Sequence, residues 1–188
     1  ASVKFWEQMS KRKLSAGAQS IEPFFRPRSV AIIGASAKQK KVGYVIAKNF
    51  IDNFKEKFFM VNPNINEIFE HKSYPRVNSI HDDIDLAVIA VPAPVVPEVL
   101  KECGKKGVKA AIIISGGFKE IGDEGAKLEE KVVEISQKYK IRLMGPNCMG
   151  VFDSVSTMDT LFIPPYRLRR PPKGGIAFIS QSGGTGLA

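Results

Sequence analysis

The residues best suited to chemistry in this sequence lie in short segments rich in glycine or proline, and the first is Gly34–Gly43. Gly34 and its small neighbour Ala35 let the backbone come close to a phosphate group, and Ser36 offers a hydroxyl. A helix predicted to follow would present unpaired amides and its positive dipole end, while Lys41 and two further lysines add charge. The segment predicts either a phosphate site or an ordinary strand-to-helix turn with solvated lysines, and it does not choose between them.

Two other segments are also rich in glycine or proline. Val91–Pro94 is stiff and poor in donors, so it suits an adenine ring or a pantetheine arm, although such a segment on its own is more often a rigid loop. In Ser115–Gly117 the paired glycines permit close approach of the backbone, and free amides there could meet an anion. Together these turns predict a groove for an extended, multiply phosphorylated ligand rather than for a compact substrate.

Metal, disulfide and NAD chemistry find little support. With two cysteines, two histidines and no C-x-x-C or H-x-x-x-H spacing, no metal site and no disulfide framework are predicted. A catalytic thiol at Cys148 is conceivable, but a small buried cysteine in a turn is favoured. NAD is a minority hypothesis because the G-x-G-x-x-G fingerprint is missing and the second strand ends in Val61-Asn62-Pro63, without an acidic residue for the ribose.

The elements that position these turns follow from alternating patterns. Short β-branched runs alternate with amphipathic stretches from Ser29 onward, which predicts an α/β fold with a doubly wound parallel sheet and helices on both faces. The predicted strands are Ser29–Ile33, Lys57–Val61, Leu86–Val91, Ala110–Ser115 and Arg142–Met144. The predicted helices are Gly43–Asn53, Pro94–Lys106 and Gly122–Tyr139. Because the carboxyl ends of parallel strands meet at one edge, all the turns named above should lie there.

Composition sets the limits. A chain of 188 residues holds one core and at most a fragment of another, so a large multidomain enzyme is excluded for this chain alone. Its 44% hydrophobic and 25% charged residues exclude disorder, and a net charge of +9 favours anionic partners. No apolar stretch reaches the roughly 18 residues that span a bilayer and no signal peptide is evident, so a cytoplasmic protein is expected.

Changes in charge, proline content and hydrophobic pattern divide the chain into four parts. A basic arm over residues 1–22 precedes the main domain at 23–153, and a proline-rich linker follows at 154–173. Residues 174–188 are expected to form a strand, Gly175–Ser180, and a turn that opens an incomplete second domain.

Six motifs in order, GAS-x5-VG, VNP, VPAP, SGGFKEIG, MGPNCMG and GGIAFISQSGG, closely resemble the α-subunit of the nucleoside-diphosphate-forming acyl-CoA synthetases. That superfamily includes ADP-forming acetyl-CoA synthetase and succinyl-CoA synthetase, and the likeness covers Pro23–Ala188. It implies a Rossmann-like CoA-binding domain, with the start of a flavodoxin-like α/β domain at the C-terminal end.

The resemblance, joined to the residue-based candidates, implies two groups of site residues. Those for CoA are Gly34, Ala35, Ser36, Lys41, Val61, Asn62, Pro63, Val91, Pro92, Ala93, Pro94, Ser115, Gly116 and Gly117. Those supporting the phosphoryl site are Glu120, Asn147, Ser180, Ser182, Gly183 and Gly184. Neither His71 nor His81 is assigned the phosphohistidine, which the family order places beyond Ala188, so no catalytic residue is expected within this chain.

The implied reaction is acid + CoA + ATP ⇌ acyl-CoA + ADP + phosphate, through an acyl phosphate and a phosphohistidine, with a small carboxylic or hydroxy acid as substrate. ATP or ADP with Mg²⁺ would bind an ATP-grasp part outside this chain, in remaining domains or a β-subunit of an oligomer. Two alternatives stay open. One is the CoA-binding regulatory domain of a protein acetyltransferase, and the other is a nucleic-acid- or NAD-responsive domain, which no helix-turn-helix or aromatic platform supports.

We expect the chain to bind CoA more tightly than NAD, because the first turn lacks the second fingerprint glycine and the second strand lacks the acidic tip. Calorimetric titration with each ligand measures this. Tighter binding of NAD would contradict the prediction.

Overall fold

The computed structural model describes residues 16–183, with side chains from residue 21. Its strands are β1 (Ser29–Ile33), β2 (Lys57–Val61), β3 (Glu67–Ile68), β4 (His71–Tyr74), β5 (Leu86–Ile89), β6 (Ala110–Ile113), β7 (Arg142–Met144), β8 (Phe152–Asp153) and β9 (Met158–Asp159). Its helices are α1 (Ala16–Phe25), α2 (Val42–Asn53), α3 (Val96–Lys106) and α4 (Asp123–Tyr139), and short 3-10 turns lie at Val77–Ser79, Ala93–Val95 and Lys119–Ile121. Within the described range, no helix has both the length and the apolar character needed to cross a bilayer.

Seven strands form the main sheet in the order β3-β4-β2-β1-β5-β6-β7. All neighbours pair in parallel except β3 with β4, which are antiparallel. The parallel strands, numbered along the chain, therefore stand in the spatial order 3-2-1-4-5-6 of a Rossmann fold. The predicted doubly wound α/β fold is confirmed, and the point where the strand order reverses lies between β1 and β5.

Alternate strand residues face two separate cores. In β1, Ala31 and Ile33 pack on the side of α3 and α4, whereas Val30 and Ile32 pack on the side of α1 and α2. Every residue of β1, β5 and β6 is buried, as expected for strands that helices cover on both faces. This double cover explains why their hydrophobic runs are continuous.

One carboxylate ties the amino ends of the central strands. Asp85 accepts hydrogen bonds from the backbone N–H of Arg28 at 3.0 Å and from Nζ of Lys109 at 2.5 Å. Burial raises the pKa of Asp85, but the bonds from Lys109 and Arg28 outweigh it, so the pKa lies below its usual value. This edge of the sheet is therefore closed by internal ion pairs.

Two parts of the structure differ from the sequence prediction around the sheet. The short strands β3 and β4, at one end of the sheet, were not predicted, because their sequence Glu67–Tyr74 is mostly polar and too short to alternate clearly. The strands β5 and β6 end two residues before the predicted Val91 and Ser115, where the chain turns into the glycine and proline segments.

The predicted linker begins as part of the fold. The hairpin of β8 and β9 is antiparallel and reaches into residues 154–173, where Met158 lies in the core on the α2 side. Arg170 holds the segment from within, because Nε donates to Asp159 at 2.6 Å and the terminal nitrogens donate to the carbonyls of Leu168 and Ile163. Helix α1 likewise crosses the predicted boundary at residues 22–23.

The strand predicted at Gly175–Ser180 is wrong for this structure. The segment has no regular secondary structure, and Ile176, Phe178 and Ile179 are 97%, 70% and 95% exposed. A strand needs a partner for its backbone N–H and C=O groups, and none of residues 16–183 pairs with it. The turn predicted to follow it extends to Gly184, which lies outside the described residues. Most of the predicted basic arm lies outside them as well.

Two helix ends permit a reciprocal stability test. The caps of α3 and α4 are Gly107 and Lys140, with φ of +83° and +56°, a left-handed conformation that favours glycine. We expect Lys140→Gly to raise the free energy of unfolding by about 1 kcal/mol and Gly107→Ala to lower it by a similar amount. Urea unfolding measures both; because both positions are exposed, equal effects of the same sign would contradict the assignment.

Candidate functional site

Two close backbone approaches lie where the strand order reverses. Gly34 has a φ of +92°, its N–H donates to the carbonyl of Val61 at 2.9 Å, and a Cβ atom there would stand 2.5 Å from the carbonyl oxygen of Ala90. A Cβ atom on Gly43 would overlap the carbonyl oxygen of Gly34. Only glycine fits both positions, so the first turn of α2 lies directly against the backbone that follows β1.

Ser36 shapes the loop after β1, and Asn62 ties that loop to the loop after β2. The buried Ser36 Oγ accepts the N–H of Lys38 at 3.0 Å, and among residues 21–183 its own proton has no acceptor. Asn62 donates from Nδ2 to the carbonyl of Ala35 at 2.8 Å, and its Oδ1 accepts the N–H of Asn64 at 2.9 Å. The two loops therefore form one rigid surface, with Val61 and Pro63 on either side of Asn62.

The lysines of this surface are free to meet an anion. Lys38, Lys40 and Lys41 are exposed, and none of them forms an ion pair within the described part of the chain. Lys41 is the N-cap of α2 and makes no side-chain capping bond, which leaves amides of the first turn without a side-chain partner. Charge and unpaired donors at a helix start are the elements of a phosphate site.

The loops after β5 and β6 form a second joined surface. Ser115 Oγ donates to the carbonyl of Val91, and a Cβ atom on Gly117 would lie 3.1 Å from the buried Ala93. Pro92 and Pro94 remain exposed beside them. A ligand that crosses the sheet edge would therefore meet an apolar wall next to the phosphate-type turn.

Glu120 and Asn147 flank Gly116. A Cβ atom on Gly116 would lie 3.1 Å from both Glu120 Oε1 and Asn147 Oδ1. Asn147 donates its N–H to the carbonyl of Ser115 at 2.9 Å. The pKa of Glu120 lies below its usual value, chiefly because its carboxylate accepts the N–H of Gly117. These two predicted residues are thus brought together at the β6 end of the edge.

The tail residues of the phosphoryl set are not gathered there. Ser180 Oγ donates to the carbonyl of Ser182 at 2.8 Å, and both residues are exposed. Gly183 approaches the loop after β7, where an added Cβ would stand 3.0 Å from Met149. Gly184 lies outside the described residues.

Cys148 is not poised as a nucleophile. Burial raises the pKa of its thiol to about 11, and Sγ donates to the carbonyl of Ile113 at 3.4 Å. The thiol is therefore protonated at neutral pH, in agreement with a structural cysteine. In the described residues, no three His, Cys, Asp or Glu side chains form a group that could hold a metal ion.

Sequence reasoning missed two contributors to the site. Gly43 was predicted as the end of the first turn and the start of a helix but was not assigned to the site, although its contact with Gly34 seats α2. The available signal was a glycine at a helix start, where other residues are tolerated unless backbone packs there. Glu129 also lies at the edge, where Oε2 accepts the N–H of Lys119 at 3.3 Å. No sequence pattern marks that contact, since it joins residues 10 apart across a turn.

Fold and site together define a class, a Rossmann-like α/β domain whose loops at the switch point carry close-packed glycines and exposed lysines. The chain belongs to the family of CoA-binding domains, whose model, described as CoA binding domain, matches residues 28–153. The resemblance drawn from the motifs is thereby confirmed for this domain.

Similar proteins are ADP-forming ligases of archaea. The chain is 52% identical to acetate–CoA ligase [ADP-forming] of Methanocaldococcus jannaschii, over 84% of this chain and 21% of that protein. It is 47% identical to acetate–CoA ligase [ADP-forming] I subunit alpha of Pyrococcus furiosus, over 90% of this chain and 37% of that subunit. The solved dinucleotide forming acetyl-coenzyme A synthetase 1 of Ca. Korarchaeum cryptofilum, in complex with phosphate and ADP, superposes with a TM-score of 0.81 at 39% identity, over 89% of this chain and 35% of that one. The chain thus spans a fifth to somewhat over a third of these relatives.

The first turn is tested by two substitutions and a control. Gly34→Val places side-chain atoms against Ala90, so we expect a larger loss of CoA affinity than from Lys41→Ala, whose screened contact is worth about 1 kcal/mol or less. Lys41→Ala should also flatten the salt dependence of binding. Lys55→Ala is the matched control, because this exposed lysine lies before β2 at the opposite edge.

Calorimetric titration at two salt concentrations measures all three variants, with circular dichroism to verify the fold. Wild-type affinity in a folded Gly34→Val variant would place the ligand elsewhere. An equal effect of Lys55→Ala would mean that net charge alone governs binding.

Proposed function

We propose that this chain is the CoA-binding portion of an ADP-forming acyl-CoA synthetase, and that CoA lies across the carboxyl edge of the sheet. The observation that carries the proposal is the glycine-only contact among Gly34, Gly43 and Ala90 at the switch point, where a phosphorylated ligand can approach backbone amides. Membership of the CoA-binding family and the named activities of the relatives support it.

The residues present suit the chemistry of CoA. The nucleotide end carries several phosphate charges, which the free lysines, the Ser36 hydroxyl and the helix start would neutralise. The pantetheine arm is largely apolar with two amides, which suits the prolines and Ala93 beside the backbone of Ser115–Gly117. We infer that the phosphates lie on the β1 and β2 loops and the arm on the β5 and β6 loops.

The whole reaction rests on parts outside this chain. We propose that a small carboxylic or hydroxy acid is activated as an acyl phosphate, that a phosphohistidine carries the phosphoryl group, and that ATP or ADP with Mg²⁺ binds an ATP-grasp partner in an oligomer. Glu120 and Asn147 would border the phosphoryl site, and Ser180, Ser182, Gly183 and Gly184 would join them. A cytoplasmic location stays a prediction. A CoA-responsive regulatory domain would use the same edge, but the relatives named above favour the synthetase.

We expect the purified 188-residue chain to bind CoA without turning over. Acetyl-CoA, ADP, phosphate and Mg²⁺ should yield no ATP, because the proposed histidine and nucleotide site are not among these residues. Calorimetry on the same preparation provides the control, since CoA should bind and excess adenosine 3′,5′-bisphosphate should compete with it. Formation of ATP by the chain alone would contradict the proposal that the phosphohistidine and the nucleotide site lie outside it. Failure of CoA to bind would contradict the proposed function.

A further inference from the structure

Three successive amides after β6 donate to carboxylates instead of to solvent. The N–H of Gly117 donates to Glu120 Oε1 at 2.6 Å, and the N–H of Phe118 donates to Glu120 Oε2 at 3.1 Å. The next N–H, that of Lys119, donates to Glu129. Both oxygens of Glu120 are thus engaged with the backbone of the turn, although the side chain itself is exposed.

The turn that Glu120 clamps is anchored on the protein side. Phe118 is fully buried, and a Cβ atom on Gly125 would overlap the Phe118 carbonyl, so α4 lies directly against this residue. On the other side of the turn, the hydroxyl of Ser115 donates to the carbonyl of Val91. The glycines between these two anchors have no side chains, so their backbone is fixed from outside by hydrogen bonds: Asn147 binds the carbonyl of Ser115, and Glu120 binds the N–H of Gly117.

We propose that Glu120 is a positioning residue for the arm of CoA: by accepting the amide hydrogens of Gly117 and Phe118, its carboxylate holds the Ser115–Gly117 turn in place against Val91 and Ala93. This inference rests on the proposed function and assigns Glu120 a role through the backbone instead of direct contact with a phosphoryl group. The arm meets a preorganised surface, so binding does not have to order two glycines.

The sign of the effect separates positioning from simple electrostatics. CoA is a polyanion, so removal of a nearby carboxylate should tighten its binding if electrostatic repulsion alone mattered. Loss of a clamp should instead weaken it, because the turn then has to be ordered on binding. The nucleotide end should be unaffected, since the β1 loop lies two strands away from the β6 loop.

The experiment compares Glu120→Ala and Glu120→Gln with the wild-type chain by calorimetry, using CoA and adenosine 3′,5′-bisphosphate as separate probes. For Glu120→Ala we expect CoA affinity to fall about fivefold and bisphosphate affinity to stay within about twofold. Glu120→Gln keeps one acceptor oxygen and should recover part of the loss. The melting temperature should change little, because the side chain is exposed.

Glu124→Ala is the matched control. Glu124 is an exposed carboxylate in the first turn of α4, four residues from Glu120, and it bonds only Lys127. Its removal should leave CoA affinity unchanged or slightly improved. The proposal is overturned if Glu120→Ala binds CoA as tightly as wild type or more tightly, or if both probes weaken equally. Failure of the wild-type chain to bind CoA would instead overturn the proposed function and this inference with it.

Discussion

The structure depends on one steric constraint, the contact of backbone with backbone where the strand order reverses. The carbonyl of Gly34 occupies the space that a side chain at residue 43 would need, and the carbonyl of Ala90 does the same at residue 34. Because of these contacts α2 begins directly behind the end of β1. The loop between them therefore lies at the carboxyl edge of the sheet, where its lysines are exposed and the first turn of α2 has no side-chain cap.

The two edges of the sheet are consequently opposite in character. At the amino edge, Asp85 collects Arg28 and Lys109, so charges are matched within the protein. At the carboxyl edge, the lysines of the first loop have no such partner in the described part of the chain, while carboxylates further along take up amides of the β6 loop. Ion pairs stabilise the amino edge, and the exposed lysines at the carboxyl edge are available to an anionic ligand.

Sequence reasoning succeeded where a short apolar run or a helical period marks an element. The bounds of β1, β2 and β7 agree with the prediction residue for residue, and those of α2 and α4 differ by a single residue at the start. It failed for β3 and β4, whose short and mostly polar sequences leave no period to detect, and for Gly175–Ser180, where an apolar run has no neighbour with which to pair. It predicted a site from strand ends alone, but contacts such as those of Asn62 with Ala35 or of Glu120 with Gly117 depend on how loops fold back, which no periodicity encodes.

The hydrogen bonds of the Arg170 side chain restrict how far the chain beyond it can move. Without these bonds the chain is held as far as Leu161, whose carbonyl accepts Nδ2 of Asn49, and residue 183 could explore a sphere of about 75 Å radius, at roughly 3.4 Å per residue. With Arg170 bound to Asp159, Leu168 and Ile163, about 13 residues remain, and the radius falls to about 45 Å. The accessible volume shrinks about fivefold. The local concentration of the terminal serines and glycines around the β7 loop rises in proportion, so a buried guanidinium sets how often those residues meet the sheet edge.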